Sequence, residues 1–406
     1  MSLEDQAKRF KMRPVTLEHL EQFNELLRYV FQVTNQDLQE VGYEEDDLVK
    51  AKRPVLRKAD VIGWFDDDKL ISQLAIYPCE VNIHGKLFKM GGLTGVGTYP
   101  EYANLGLMHQ LMKAGLENMR EHGQWISYLF PYSIPYYRRK GWEIISDKMT
   151  FSFKDTQLPK TVPVSGYVER LDIDHQDVIQ VYDTFARMNH GALIRDELAW
   201  EEYWRWENDE ERIAAVYYDE QNRPTGCLFY WIAEDIFHLK EMFYLNQEAR
   251  KGLWNFITAH FSMVDKIEGS TFKNEPIAFI LEDSEIIETI QPYFMARIVD
   301  VAEFLKEYPF ETVTVPDFHL IVEDPMLEWN RGIFGLSFDE DGVVTVSDQP
   351  IGSPVKIDIQ TLTTMLMGYR RPSYLARIER LETDSRTLRS LEQLISQGEP
   401  YFSDYF

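Results

Sequence analysis

The chain changes its hydrophobic period within residues 91–112. Up to Thr98 apolar and small residues alternate as in a strand. After Pro100 the apolar positions Leu105, Met108, Met112 and Met119 recur with helical spacing. Residues 125–130 then read as a second buried strand. A strand, an amphipathic helix and a strand in that order leave few folds. The crossover is right-handed and sets the two strands parallel in one sheet. The turn also aims backbone N–H groups and the positive end of a helix dipole at one point, a ready place for an anion such as a pyrophosphate. A structural crossover without a ligand carries the same pattern, so the junction fixes the fold class, α/β, ahead of any function.

The rest of the chain falls into place around it. Residues 12–60 read as helical, with Thr16 as a cap and an apolar stripe through Leu17, Leu20, Phe23, Leu26, Leu27, Val30 and Phe31. Strands at 61–65 and 70–81 turn on Asp66-Asp67-Asp68, and His84-Gly85 turns the chain into the strand that begins at Leu87. Such short turns make these strands antiparallel. Gly123 stops the helix. Residues 131–142 are aromatic and basic, and a strand near 148–153 closes the unit. After a linker at 158–163 the pattern repeats weakly: helical stretches at 182–188 and 200–206, and strands at 214–218, 226–232 and 237–245. Asn246 then caps a helix with no glycine loop before it, so the second copy lacks the anion site. From about residue 297 the character changes to strands at 297–301, 312–315 and 318–322, a hairpin on Glu340-Asp341-Gly342, a strand at 355–359, and a last helix begun by Thr383-Asp384. Four aromatic residues in the final six argue for a docked end.

A chain of 406 residues needs two or three cores. Its 42 basic and 67 acidic residues give a net charge of −25, which argues against nucleic acid as the main partner and favours the approach of small cations, although solubility is the usual cause of an acidic surface. Cys79 and Cys227 read as buried thiols rather than a disulfide. No apolar run is long enough to span a membrane and no signal-peptide core begins the chain, so the expectation is a cytoplasmic protein without a membrane partner. Nine scattered His residues show no metal-ligand spacing, and neither a nucleophile elbow nor a phosphate loop is present.

Residues 1–155 resemble the GNAT acetyltransferase superfamily. The resemblance is carried by the meander, by Val96-Gly97-Thr98-Tyr99-Pro100-Glu101-Tyr102 with Gly106 and its helix, and by Tyr137-Arg138-Arg139-Lys140-Gly141-Trp142. Added to Gly91-Gly92-Leu93, Arg297-Ile298-Val299-Asp300, Trp329-Asn330-Arg331-Gly332 and the terminal Phe406, the whole chain resembles the enhanced-intracellular-survival family of aminoglycoside and amine N-acetyltransferases. That resemblance implies a GNAT domain at 1–155, a degenerate GNAT-like domain at 156–295 and a sterol-carrier-like α+β domain at 296–406. It implies acetyl-CoA as donor and a homohexamer. The pantetheine arm would pair around Val96, Gly97 and Thr98, and the pyrophosphate would meet Ala103, Asn104, Leu105, Gly106, Leu107 and Met108.

The chain departs from the superfamily signature at both ends of that turn, where Ala103 replaces a basic or amide residue and Met108 a small one. Backbone donors survive; a charge-assisted contact of roughly 1.5–3 kcal/mol does not. The expectation is weakened acetyl-CoA affinity, or compensation by nearby Lys113, Arg138 or Arg139. Tyr137 matches the family's general acid, and the carboxylate of the last residue, Phe406, its general base. An α-carboxylate with a pKa of about 3.5 needs desolvation or a relaying water for that task. Phe31 fits the family's substrate pocket, or ordinary packing. The acidic run at 44–47 fits cation attraction, or a solvated face. Two functional readings stand: an N-acetyltransferase of a small amine, supported by Tyr137 and Phe406, and a non-catalytic CoA- or lipid-binding protein, supported by Ala103 and Met108. Aminoglycoside, polyamine, peptide and protein lysine are all open as acceptors.

Overall fold

The computed structural model describes residues 9–34, 36–37, 45–204, 213–272, 275–339 and 342–406. Glu44, Glu340, Asp341, residues 205–206 and the side chains of 45–47 lie outside the described residues. Three mixed sheets are formed among those described.

In the first sheet, β1 (Lys11–Pro14), β2 (Asp60–Asp66), β3 (Lys69–Ile83) and β4 (Lys86–Thr98) run antiparallel in chain order, and β5 (Ile126–Leu129) lies parallel to β4. The β3–β4 turn places His84 and Gly85 in the left-handed region, as a tight hairpin requires. The helical reading of 12–60 fails at its start, where β1 pairs with β2. Thr16 then begins a single 3-10 turn, its N–H donating to His19 Nδ1 at 3.1 Å, ahead of α1 (Leu20–Phe31) and α2 (Glu45–Lys58). The crossover is α3 (Leu107–Glu121), which buries Leu111, Met112, Leu116 and Met119.

The strand expected to close the first unit leaves it. β6 (Glu143–Ile144) edges the first sheet, but β7 (Asp147–Lys154) lies in the second, between Ile287–Pro292 and Lys266–Phe272. In exchange Met295–Ile298, which overlaps the strand read at 297–301 as the start of the third unit, inserts between β5 and β6. The exchanged strands pair with each other in one unbroken antiparallel register, from Ser152↔Ile287 to Glu143↔Ala296. Ile145 N–H to Phe294 O (3.0 Å) and Tyr293 N–H to Ser146 O (2.9 Å) fill the crossing. Alternation along β7, with Met149, Phe151 and Phe153 buried, marks its apolar face but not the sheet it joins.

The second sheet continues through Ile236–Tyr244, Pro224–Ala233, Ile213–Tyr218 and Tyr167–Leu171, with Ile236–Tyr244 parallel to Lys266–Phe272. The third holds Val344–Ser347, Gly332–Phe338, Phe318–Glu323, Ser353–Asp358 and Leu381–Glu382. Residues 312–315 are not a strand, because Val313 N–H turns back to Glu311 O at 2.9 Å. Helix Ile359–Leu366 joins this unit to the first sheet: Thr363 Oγ1 accepts from Ile298 N–H (3.1 Å) and Thr364 Oγ1 donates to Ile144 O (2.8 Å).

All three units meet at a stacked histidine pair. His84 and His190 have ring centroids 3.6 Å apart. His84 N–H donates to His190 Nδ1 (3.0 Å), and His190 Nε2 donates to Met367 O (2.9 Å). This fixes the His190 tautomer, and a proton on Nδ1 would break the first bond. Burial, then His84, push the His190 pKa down to about 3. Unfolded histidine takes its proton near pH 6.5, so this stabilisation is complete above that pH and is lost progressively as pH falls toward 3. Unfolding free energy should fall from pH 7.5 to pH 5 with a His190 contribution of up to about 1.4 kcal/mol per pH unit. Equilibrium denaturation of wild type and His190→Gln at both pH values checks this; the variant's slope should be flatter.

Candidate active site

The site begins where β4 and β5 part. They pair from Met90↔Ile126 to Gly92↔Tyr128; β5 ends at Leu129 while β4 runs on to Thr98. Past Gly92 no described strand covers that edge of β4. Leu74 of β3 stands opposite both Gly95 and Val96, a bulge for which Gly95 supplies the left-handed conformation (φ 61°). Gly92 admits the end of the chain: a Cβ there would lie 3.0 Å from the ring of Phe406.

A cavity of about 690 Å³ occupies the gap. It brings together Val96, Gly97, Thr98, Met108, Phe31, Tyr137 and Phe406, seven of the residues singled out from the sequence. The remaining ones, Ala103 to Leu107, form the turn into α3 beside it. Asn104 and Gly106 are left-handed there (φ 63° and 76°), and a Cβ on Gly106 would meet nothing. Leu107 contributes its side chain to a core with Phe10 and Ile71, and its carbonyl accepts from Trp64 Nε1 at 3.1 Å.

Tyr137 sits in the short helix Ile134–Arg138, nearly buried at 7% exposure, edge-on to Tyr136 and Trp142. No described group hydrogen-bonds its hydroxyl. Burial, then Tyr136, push its pKa well above the phenol range, so it is a neutral donor at any working pH. The turn behind it is clamped by later parts of the chain. Arg297, fully buried, lies against Gly141, donates to Lys140 O and pairs with Asp324. Gln360 Nε2 donates to Arg138 O at 2.8 Å.

Phe406 arrives from the far end of the chain. Its ring packs on Phe294 (5.2 Å) and Tyr77 (6.0 Å). The tail is held by Arg195, whose side chain is wholly buried and which donates to Asp404 (2.6 Å) and Glu241 (3.1 Å). Its guanidinium lies 3.7 Å from the ring centre of Tyr182 and 3.8 Å from that of Tyr203. Glu241 also accepts from the hydroxyls of Tyr203, Tyr401 and Ser403. Burial pushes both carboxyls up. On Glu241 the guanidinium and the three hydroxyls outweigh it and lower the pKa; on Asp404 burial wins.

The start of α3 is electropositive. Burial, then Lys140 and Lys113, hold the His109 pKa below its ordinary value. Arg138 is engaged with Glu143 at 2.7 Å, whereas Lys113, Arg139 and Lys140 have no acidic partner among the described residues. The sequence reading missed Glu202, 4% exposed, which faces the same cavity, accepts from Tyr77 at 2.9 Å and pairs with Lys52 at 3.6 Å. It also missed Arg195, and it named Arg297 only as part of a motif, without its role behind Tyr137. No local pattern marked these residues; the four glycines within seven residues of β4 marked only a bulge or a close approach on the strand itself. Among the described residues no three His, Cys, Asp or Glu side chains could hold a metal, no helix is long and apolar enough to cross a membrane, and Cys79 and Cys227 are unpaired.

Residues 11–145 match an acetyltransferase (GNAT) domain family, residues 191–298 a second acetyltransferase (GNAT) domain family, and residues 301–403 a sterol carrier protein domain. The chain carries two GNAT acetyltransferase domains and a sterol carrier protein domain. That is the make-up of an acetyl-CoA-dependent acyltransferase. No curated protein matches in sequence. Among solved structures the chain is similar to a conserved protein of Enterococcus faecalis V583 described as a probable N-acyltransferase, at 28% identity and a TM-score of 0.88, over 98% of this chain and 99% of that one. A GCN5-related N-acetyltransferase from Anabaena variabilis (22%, 0.86) and Eis1 from Mycobacterium abscessus (18%, 0.79) share the fold over 98% of this chain and 100% of theirs.

Removing the guanidinium would leave two carboxylates facing each other in the core. Arg195→Met should cost about 3–5 kcal/mol in urea denaturation. Its tail should be cut by carboxypeptidase under conditions where wild type resists.

Proposed function

We propose that the chain moves an acetyl group from acetyl-CoA to a primary amine of a small cationic substrate, by direct attack in a ternary complex. The observation that carries this is the meeting of Tyr137 and the terminal residue, Phe406, on one cavity at the mouth of the parted strands. The exposed edge of β4 from Leu93 to Thr98 offers donors and acceptors at strand spacing, which suits an amide-bearing arm. The open start of α3, with Lys113, Arg139 and Lys140, suits phosphates and makes up for the charge missing at Ala103.

Acetyl-CoA supplies the thioester, and its thiol is the leaving group. Tyr137, kept neutral by burial, donates a hydrogen bond to the sulfur as charge gathers there. Complete transfer from so weak an acid to an ordinary thiolate is uphill, so the hydrogen bond, strengthened by desolvation, is its main contribution. The Phe406 carboxylate takes the ammonium proton, directly or through one water, and the second proton that the nitrogen sheds as the C–S bond breaks neutralises the departing thiolate, so that CoA leaves as the thiol. The net charge of −25 favours approach of a cationic acceptor. The domain order and the likeness to Eis1 support placement with the enhanced-intracellular-survival family, and with it a cytoplasmic homohexamer; light scattering on the purified protein tests the oligomer.

Calorimetry should detect acetyl-CoA binding to the wild type and equally to Tyr137→Phe, while the variant's kcat falls about 10²- to 10⁴-fold. Absence of binding at millimolar acetyl-CoA would leave only the non-catalytic reading. An extension after Phe406 moves or masks the carboxylate and should abolish turnover with binding intact; full activity of the extended protein would remove Phe406 from the mechanism.

A further inference from the structure

The second GNAT domain repeats the parting of strands that makes the active site. Ile236–Tyr244 and Lys266–Phe272 are parallel partners only from Ile236↔Lys266 to Leu239↔Gly269. Beyond that point they diverge around a second cavity of about 640 Å³. The features that suit a phosphate-bearing donor in the first domain are missing here. The following helix, Gln247–Thr258, is capped by its own residue, Asn246 Oδ1 accepting from Ala249 N–H at 2.9 Å. Its first turn carries Glu248, whose carboxyl is held below its ordinary value by bonds from Ser165 and Tyr217. A fixed negative charge at a closed helix start repels an anion.

What remains is an aromatic chamber with carboxylates at its edge, and it adjoins the first. Phe130, Glu202 and Tyr405 line both cavities. Alkylammonium groups of the chain already lie on its walls: Lys240 Nζ is 4.5 Å from the ring centre of Tyr203, and Lys148 Nζ 5.6 Å from that of Tyr293. Glu268 and Glu275, roughly a third exposed, face it from a strand and a loop. Each is now balanced by a neighbouring cation, Lys266 or Arg250, that a ligand ammonium could replace.

We propose that this cleft is a second acceptor-binding chamber, taking the distal ammonium groups of a linear polyamine whose reacting amine lies beside Phe406, with the chain passing Glu202. The inference rests on the acetyltransferase reading for the reacting end only; binding in the chamber needs no donor. It assigns a role to a domain without its own donor site: the domain measures the length and charge of the acceptor.

Two experiments separate this inference from the function on which it builds. Full-length protein is titrated with a linear tetraamine by calorimetry without acetyl-CoA. Thr271→Trp, which plugs the chamber, and Trp231→Ala, which removes a half-buried aromatic wall, should each weaken binding at least about tenfold. Acetyl transfer is then measured for the tetraamine and for a short monoamine. The kcat/KM ratio of long over short should fall about tenfold in Glu202→Gln and in whichever chamber variant keeps the wild-type melting profile. Unchanged tetraamine affinity in both chamber variants, or a ratio within twofold of wild type, overturns the chamber. Tetraamine binding that responds to the variants, in a protein that acetylates no amine, sustains the chamber and overturns the acetyltransferase reading instead.

Discussion

One buried guanidinium decides what this molecule's candidate active site contains. Arg195 stands between Asp404 of the tail and Glu241 of the second sheet, with aromatic faces against it and its side chain wholly buried. A buried ion pair adds little net stability, because desolvation cancels most of the attraction. Its value is selectivity. Only one position of the tail satisfies the arginine, and that position carries Phe406 onto Gly92 at the parting of β4 and β5. A tail held by apolar packing alone could slide by a residue; one held by Arg195 and by Tyr293 donating to Asp404 O at 2.8 Å cannot.

The same logic of distant parts completing one site recurs at Tyr137. Its helix is short, and it is positioned by Arg297 and Gln360 from later in the chain. Arg297 is on the strand that enters the first sheet by exchange. The exchange makes one ribbon, 143–154 against 287–298, that belongs to two sheets at once. Neither sheet is complete without the other's strand, and helix Ile359–Leu366 then bonds to the ribbon's edge. The two catalytic candidates thus sit on a frame built from all three units.

The two GNAT clefts have diverged in their ends rather than in their openings. Each is a pair of parallel strands that separate after a few residues. In the first, the helix start is open and surrounded by Lys113, Arg139 and Lys140. In the second it is capped by Asn246 and made acidic by Glu248. A few residues at a helix start, without change in topology, separate a cleft that suits an anion from one that suits a cation.

Much of the fold was legible. Period-2 runs placed β2, β3, β4 and β5 to within a few residues, the shift to helical spacing located α3, and Asp or Asn caps found the starts of later helices. Seven of the residues that line the first cavity could be named because motif position, not residue type, singled them out. The rest was hidden for identifiable reasons. β1 is too short to show a period. Alternation in β7 is satisfied by either sheet. Arg195 and Glu202 look like surface residues until their partners, more than a hundred positions away, are brought beside them, and the clamp that Arg297 makes with Asp324 is equally invisible in its motif. Local sequence therefore determined the elements, their hands and the turn that faces the cofactor gap, because these depend on steric and hydrogen-bonding rules within a few residues. Which sheet each strand joined, which charges were buried together and where the last residue came to rest were decided only by the tertiary structure, because each depends on partners that no local pattern specifies.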